Sequence, residues 1–190
     1  MSYIHEILDN YWGYNAFRPC QEEIINSILN GKDTIGLLPT GGGKSITFQV
    51  PAIALEGLTI VITPLISLMK DQVDNLAARG ISNAVTINGL LDPIERSVAV
   101  NQVADGTANL LYIAPEMLRS KTIERLLVGR DVVRFVIDEA HCFSAWGHDF
   151  RVDYLYIGDF IRQLQEKKRQ NQSIAVSCFT ATAKPKVISD

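Results

Sequence analysis

Short apolar runs recur along the chain and alternate with longer stretches in which polar and apolar residues are mixed. A short, nearly continuous apolar run predicts a strand that is covered on both faces, as in a parallel sheet between two layers of helices. Six segments have this character, at residues 33–38, 58–63, 84–87, 110–114, 132–137 and 174–179. The pattern therefore predicts six strands.

Two of the intervening segments carry the start and stop signals of helices. Residues 19–30 predict a helix with Pro19 in its first turn and Gly31 just past its end. Residues 92–95 supply an N-cap aspartate, a proline at the first helical position and an acid at the third, and Gly106 provides the stop. These signals predict where both helices begin and end.

A third segment shows the spacing of a helix with one buried face, and it ends at Gly80. The residues at that spacing are Leu65, Leu68, Met69, Gln72, Val73 and Leu76. Strand followed by helix, repeated about six times, specifies an α/β fold, a doubly wound parallel sheet with helices on both faces and right-handed crossovers.

The length of the chain, 190 residues, suffices for one large domain, so residues 1–190 are predicted to form a single domain. We find no internal repeat, low-complexity tract or linker. Residues 183–190 have the pattern of a helix start with nothing after it, which indicates a fragment of a longer protein.

Composition narrows the class of protein. Hydrophobic residues make up 47 % of the chain, and no apolar run approaches the roughly 20 residues that cross a bilayer. The first ten residues have no signal-peptide pattern, and the three cysteines are far apart, so we expect a cytosolic protein with reduced thiols. The net charge of −3 disfavours a general polyanion-binding surface but leaves a local one open.

The stretch LLPTGGGKS, at 37–45, follows a predicted strand and precedes a predicted helix, which is the context of a phosphate-binding P-loop. In a P-loop the backbone amides of Gly41, Gly42, Gly43 and Lys44 hold the nucleotide phosphates. Lys44 reaches the β- and γ-phosphates, and Ser45 binds Mg²⁺. Leu38 stands where the strict pattern has glycine, so a glycine-rich turn without a nucleotide is the alternative.

A pair of acids, Asp138 and Glu139, directly follows the predicted strand 132–137. P-loop nucleotide hydrolases place the aspartate that orders Mg²⁺ at such a strand end. Glu139 is then placed to orient and deprotonate an attacking water. The alternative, a solvated acidic loop, does not predict acids at the carboxyl end of a buried strand.

The stretch HCFSAWGHDFR, at 141–151, combines two histidines, a cysteine, three aromatic residues and an arginine. A zinc site is disfavoured, because the spacing of His141 and His148 matches neither an HxxxH pair nor a CxxC knuckle. A nucleic-acid contact loop and a set of buried aromatic side chains stay open for Trp146, and for Phe143 we favour the core.

Together these residues resemble the RecQ DNA helicases of superfamily 2. YNAFRPCQ, at 14–21, is similar to the family's adenine-recognition motif, and TPLISLMKDQV, at 63–73, is similar to its motif Ia. YIAPEML, at 112–118, resembles a motif near the DNA strand, and FTATA, at 179–183, resembles motif III. The resemblance covers nearly the whole chain and implies the first RecA-like domain, an N-terminal ATP-binding domain of the P-loop type.

The resemblance also implies roles for individual residues. Tyr14 stacks on the adenine while Gln21 hydrogen-bonds its edge with help from Arg18, and Thr40 belongs to the phosphate loop. Residues 141–151 resemble the family's aromatic-rich loop, in which His141 relays between the nucleotide site and motif III. DNA contact and coupling are implied for Trp146, His148, Phe150, Arg151, Thr180 and Thr182.

Three positions depart from the family pattern. Ala145 stands where glutamine is usual, Val152 where proline is usual, and Cys20 where glycine is common. The first departure affects the hydrogen bonding of the aromatic-rich loop.

The expected function is that of an ATP- and Mg²⁺-dependent 3′–5′ DNA helicase, acting on single-stranded or forked DNA in the cytoplasm or at a bacterial nucleoid. The implied partner is a second RecA-like domain of the parent chain. The resemblance implies no association with a membrane. Without that domain, weak hydrolysis and no unwinding are expected. The alternatives are a DEAH-type RNA helicase domain and a module that binds nucleotide and single strands with little turnover.

Overall fold

The computed structural model describes residues 2–38, 43–140, 152–168 and 174–180, with the backbone alone at 152 and 153. Its helices are α1 (Tyr3–Trp12), α2 (Gln21–Leu29), α3 (Lys44–Ala54), α4 (Ile66–Ala78), α5 (Pro93–Ala104), α6 (Lys121–Val128) and α7 (Val152–Lys168), with a short 3₁₀ helix at Pro115–Arg119. Its strands are β1 (Thr34–Leu37), β2 (Leu58–Ile62), β3 (Ala84–Ile87), β4 (Leu110–Ile113), β5 (Val132–Ile137) and β6 (Ala175–Thr180).

The strands form one parallel sheet in the order β1-β6-β5-β2-β4-β3. All six predicted strands are confirmed, each within one residue at either end. Every residue of β2 and β4 is buried, as the continuous apolar runs predict. The edge strand β1 differs, because Ile35 and Leu37 are exposed on one of its faces.

Aromatic contacts place helices on both faces of the sheet. The register aligns Phe135 of β5 with Val176 of β6, so Phe179, three residues further along β6, faces the opposite way. Phe179 meets Phe48 of α3 edge-on, whereas Phe135 meets Phe160 of α7. Helices α3 and α7 therefore cover opposite faces, which confirms the predicted doubly wound α/β fold.

An arginine interrupts the apolar strand β5. Arg134 is 2 % exposed, and its guanidinium donates to the carbonyl oxygen of Ile28 at 2.9 Å, to the Ser177 hydroxyl at 2.6 Å and to the Lys32 carbonyl at 3.2 Å. Burial lowers its pKa, although Asp33 opposes the shift. Because the guanidinium bonds the carbonyls at the end of α2, it joins that helix to β5 and β6.

The capping signals of α5 are confirmed. The Asp92 carboxylate accepts from the backbone N–H of Glu95 at 2.8 Å, and the Glu95 carboxylate accepts from the N–H of Asp92 at 3.1 Å. Helix α4 follows its prediction only in part. Met69 and Leu76 are buried, but Leu65 and Leu68 are exposed. The apolar face of this helix is wider than the part of it that packs against the sheet.

Helix α2 begins two residues later than predicted, because Cys20 has a φ of +71°. This left-handed conformation costs a residue with a Cβ about 1–2 kcal/mol and suits glycine, the residue common at this position in the resembled family. Cys20 and Cys178 are both free thiols, as predicted, and burial raises the pKa of Cys178 to about 11. Cys142 lies outside the described residues.

Among the described helices, none is both long enough and apolar enough to cross a membrane.

Replacing Cys20 by glycine is expected to raise the free energy of unfolding by about 1 kcal/mol, because glycine adopts a positive φ without strain. Urea unfolding followed by circular dichroism measures the change. The matched control is Gly13→Ala, at a φ of +73° with open space around the added Cβ, which should lose a similar amount. A Cys20→Gly variant no more stable than the wild type would contradict the expectation.

Candidate nucleotide-binding site

The site lies at the carboxyl edge of the parallel sheet. Helix α3 begins at Lys44, seven residues after the end of β1, and the acids Asp138 and Glu139 directly follow β5. Because all strands run in the same direction, their carboxyl ends meet at one edge, which is where ligands bind in sheets of this kind. The fold therefore brings together two motifs that stand 94 residues apart in the sequence, counted from Lys44 to Asp138.

The central contact of the site is an ion pair between Lys44 and the two acids. The Lys44 ammonium lies 2.7 Å from Asp138 Oδ1 and 3.4 Å from Glu139 Oε1. Burial by itself lowers the pKa of Lys44, but the attraction and hydrogen bonding of Asp138 and then of Glu139 outweigh it, and the pKa is raised. The lysine therefore stays charged and balances the acids.

The turn that carries the acids is strained. Glu139 has a φ of +56°, in the left-handed region, which costs a residue other than glycine about 1–2 kcal/mol. The backbone N–H of Asp138 donates to the carbonyl of Ile62 at 2.9 Å, and the N–H of Glu139 donates to Asp138 Oδ1 at 2.9 Å. Strain of this kind is common at functional sites, and nothing in the sequence signals it here.

Gln21 ties the predicted adenine motif to the end of the phosphate loop. Its side chain is 2 % exposed, its amide nitrogen donates to the carbonyl of Gly43 at 3.0 Å, and its amide oxygen accepts from the backbone N–H of Arg18 at 2.7 Å. These two contacts use one N–H and one lone pair of the amide. Tyr14 is about half exposed, as a side chain that stacks on a ligand needs to be.

These residues line a cavity of about 930 Å³, a volume within the size range of small-molecule sites. Among its lining residues are the predicted Tyr14, Arg18, Gln21, Gly43, Lys44, Ser45, Asp138 and Glu139. It also extends along α4 to Leu68 and Gln72, which lie within the stretch 63–73, and on to Asn75 and Arg79, which no predicted motif includes. The sequence does contain a signal for them, because Gln72, Asn75 and Arg79 are polar residues three or four positions apart and so lie on one face of a helix.

The floor of the cavity contains a buried polar pair. Gln49 of α3 donates from its amide nitrogen to the hydroxyl oxygen of Tyr112 at 3.0 Å, and Tyr112 is fully buried. Burial raises the pKa of Tyr112. The tyrosine of the YIAPEML motif therefore lies behind Gln49, a residue of the cavity wall, rather than on the surface.

Of the remaining predicted site residues, the structure describes Thr180. Thr180, at the end of β6, is buried, and its carbonyl oxygen accepts from the N–H of Leu38 at 3.4 Å. The others lie outside the described residues; they are Thr40, Gly41, Gly42, His141, Trp146, His148, Phe150, Arg151 and Thr182.

The donor set of the site suits Mg²⁺. Asp138 and Ser45 offer oxygen ligands beside the cavity, and Asp138 already faces a cation in Lys44. The described residues contain no cluster of three or more metal-ligating side chains. Mg²⁺ is usually held by one or two carboxylates together with substrate phosphates rather than by an all-protein cage, so the two findings agree.

Comparison with known proteins agrees with this geometry. Residues 18–190 match the DEAD/DEAH box helicase family. The ATP-dependent DNA helicase RecQ of Bacillus subtilis is 46 % identical over 185 residues, which cover 97 % of this chain and 30 % of the relative. The probable ATP-dependent DNA helicase RecS of the same organism is 41 % identical over 190 residues, which cover all of this chain and 36 % of the relative. The chain thus spans about a third of the length of these relatives.

A solved structure shows the same fold at low sequence identity. The Mycobacterium smegmatis helicase Lhr, bound to single-stranded DNA and AMP-PNP, superposes with a TM-score of 0.73 at 18 % identity. The superposition covers 98 % of this chain and 26 % of that one.

Replacing Gly43 by alanine should lower the free energy of unfolding by roughly 2 kcal/mol or more, which is a larger loss than Gly13→Ala should cause. Both glycines have nearly the same positive φ, but a Cβ at Gly43 would overlap the Gln21 amide nitrogen, whereas one at Gly13 meets open space. Urea unfolding of both variants measures the difference. Gln21→Ala in the Gly43→Ala background should recover part of the loss, and equal losses for the two alanine variants would show that the overlap is absent.

Proposed function

This chain belongs to the DEAD/DEAH box helicase family, with the RecQ resemblance confirmed by its relatives, and from that premise we propose that it is the ATP-binding motor domain of a DNA helicase. The observation that carries the proposal is the ion pair of Lys44 with Asp138 and Glu139 at the nucleotide-sized cavity. The parent protein would use ATP to separate DNA strands in the 3′–5′ direction, in the cytoplasm or at a bacterial nucleoid.

The nucleotide would bind along the cavity from the adenine motif to the start of α3. Tyr14 would stack on the base, and Gln21 and Arg18 would contact its edge. The phosphates would lie at the N-terminus of α3, where Gly43 and its neighbours Gly41 and Gly42 offer backbone N–H groups and the helix dipole favours negative charge. Thr40 would belong to the same loop.

Lys44 would exchange partners when the nucleotide binds. Its ammonium, now balanced by Asp138 and Glu139, would move to the β- and γ-phosphate oxygens. Ser45 and Asp138 would hold Mg²⁺, which neutralises phosphate charge and orients the phosphates. Glu139 would then act on water.

Hydrolysis would then require Glu139 to accept a proton. The water oxygen forms a bond to the γ-phosphorus while the bond from that phosphorus to the bridging oxygen breaks, and ADP leaves with the electron pair. Glu139 takes the proton that the water loses, and His141 would assist. A second RecA-like domain of the parent protein would supply an arginine finger worth about 10³ to 10⁵ in rate, so slow hydrolysis and no unwinding are expected of these 190 residues by themselves.

The DNA strand would contact the aromatic-rich loop. Trp146 and Phe150 would stack on unpaired bases while His148 and Arg151 contact the backbone. Thr180 and Thr182 would couple nucleotide state to strand binding. The hydrogen bond from the backbone N–H of Leu38 to the carbonyl oxygen of Thr180 supports this proposal, since it links β6 to the end of the strand that precedes the phosphate loop.

Two other functions stay as alternatives. A DEAH-type RNA helicase domain would share the ATP site but not the RecQ-type adenine motif and aromatic-rich loop. A module that binds nucleotide and strand without turnover would retain the cavity. The second alternative applies to the isolated chain, because its relatives are about three times as long.

ATP-Mg²⁺ should bind this chain weakly, in the high-micromolar range, because a few phosphate and base contacts must offset association entropy. Lys44→Ala should weaken binding by about tenfold or more, since it removes the cation that meets the phosphates. Calorimetric titration measures both affinities. Lys70→Ala, at an exposed lysine paired with Asp74, is the control and should bind as the wild type does. Equal affinity for the Lys44→Ala and wild-type chains would refute the P-loop assignment.

Oligo-dT should quench the fluorescence of Trp146, if the aromatic-rich loop stacks on unpaired bases. Trp12 is the other tryptophan, and it lines the nucleotide cavity with Arg79 over its ring, so Trp12→Phe isolates the Trp146 signal. Trp146→Ala should lower strand affinity by roughly tenfold or more, because stacking contributes about 1–3 kcal/mol per base. A buried core tryptophan would instead cost about 3–5 kcal/mol of stability, and an unfolded Trp146→Ala chain would contradict the DNA role.

A further inference from the structure

Tyr154, in the first turn of α7, belongs to none of the motifs described above. Its side chain is fully buried, and its hydroxyl donates a hydrogen bond to the backbone carbonyl oxygen of Asp138 over 2.8 Å. A buried hydroxyl bonded in this way fixes the orientation of the peptide group that it contacts. This peptide group is the one that joins the two acids of the nucleotide site.

The peptide group between Asp138 and Glu139 is held at both of its polar atoms. Its oxygen accepts from Tyr154, and its N–H donates to Asp138 Oδ1. Glu139 follows it at a φ of +56°, which a glutamate ordinarily avoids. Rotation of the peptide group would return Glu139 to a common backbone conformation, but it would break both hydrogen bonds and alter the backbone that carries the Glu139 side chain.

Helix α7 holds the hydroxyl rigidly in place. The buried side chains of this helix recur at helical spacing and comprise Tyr154, Ile157, Phe160 and Leu164. Phe160 packs against Phe135 in β5, the strand that leads into the two acids. The same helix therefore packs against the strand and orients the peptide group that follows it.

We propose that Tyr154 is a positioning residue for ATP hydrolysis. By holding the Asp138–Glu139 peptide group in its strained orientation, the hydroxyl keeps the Glu139 carboxylate where it meets the attacking water. Tyr154 does not line the nucleotide cavity, so it acts through the backbone and not by touching the nucleotide. The inference rests on the proposed function, because it assigns Glu139 the role of accepting the proton.

A double-mutant cycle tests the proposal on this 190-residue chain, by single-turnover ATP hydrolysis with protein in excess. Tyr154→Phe should slow hydrolysis roughly threefold to tenfold, as expected for the loss of one buried hydrogen bond, and should leave ATP affinity within about twofold of wild type. In a Glu139→Gln background the same change should have no further effect. Tyr156→Phe is the matched control, since Tyr156 is on the same helix and keeps its ring beneath Arg119.

A second variant separates the hydrogen bond from the packing of the ring. Incorporating p-aminophenylalanine at position 154 keeps an N–H donor at the para position and should hydrolyse ATP within about twofold of wild type. Circular dichroism shows whether each variant is folded. If the folded p-aminophenylalanine variant is as slow as Tyr154→Phe, the hydrogen bond is not the cause and the proposal is overturned. The same holds if Tyr154→Phe does not fold and the folded p-aminophenylalanine variant is slow.

The remaining outcomes distinguish the inference from the function it rests on. Wild-type rates for Glu139→Gln would mean that the proposed hydrolysis at this site has failed. A slow Glu139→Gln chain combined with wild-type rates for Tyr154→Phe would overturn the role of Tyr154 alone. Equal losses from Tyr154→Phe in both backgrounds would also overturn it, because Tyr154 would then not act through Glu139.

Discussion

The charge balance between Lys44 and the acids Asp138 and Glu139 is the interaction on which the site depends. The side chains of all three are largely withdrawn from solvent, where an unpaired charge is strongly unfavourable. A lysine between two carboxylates satisfies each group with a contact that a nucleotide complex would replace by phosphate and Mg²⁺. The three charges at the cavity therefore balance one another through direct contacts.

Backbone strain concentrates around the same cavity. Two described residues other than glycine have a positive φ, Cys20 before the adenine motif's glutamine and Glu139 in the acidic turn. Hydrogen bonds of neighbouring groups hold the backbone of each residue in this conformation. Cys20 precedes Gln21, whose amide is bonded to Gly43 and Arg18, and Glu139 follows a peptide group held by Tyr154 and Asp138. The fold therefore maintains conformations at the site that neither residue prefers by itself.

Hydrogen bonds of Arg134 within the sheet also help to position this edge. Arg134, inside β5, bonds the carbonyls at the end of α2 and the Ser177 hydroxyl on β6, so it fixes the strand that leads to Asp138 against the helix that begins at Gln21. The adenine motif and the acidic turn are thus joined twice. One connection runs through the Gln21–Gly43 hydrogen bond and the Lys44 ion pair at the cavity, and the other runs through Arg134 within the sheet. A shift of β5 along α2 would disturb both connections.

The sequence by itself determined the six strands and the capping box of α5, because these depend on local patterns of burial, capping and spacing. It also singled out several of the residues that line the cavity, such as Lys44 and Asp138. It did not determine the exposed face of β1, the exposure of Leu68 or the later start of α2. Nor did it determine that Arg79 lines the cavity or that Tyr154 bonds the carbonyl of Asp138. Burial of an apolar residue depends on which element lies over it, and only the tertiary structure decides that. A positive φ at Cys20 and Glu139, or a hydroxyl aimed at a carbonyl 16 residues away, arises from contacts between distant segments. No window of sequence contains those contacts.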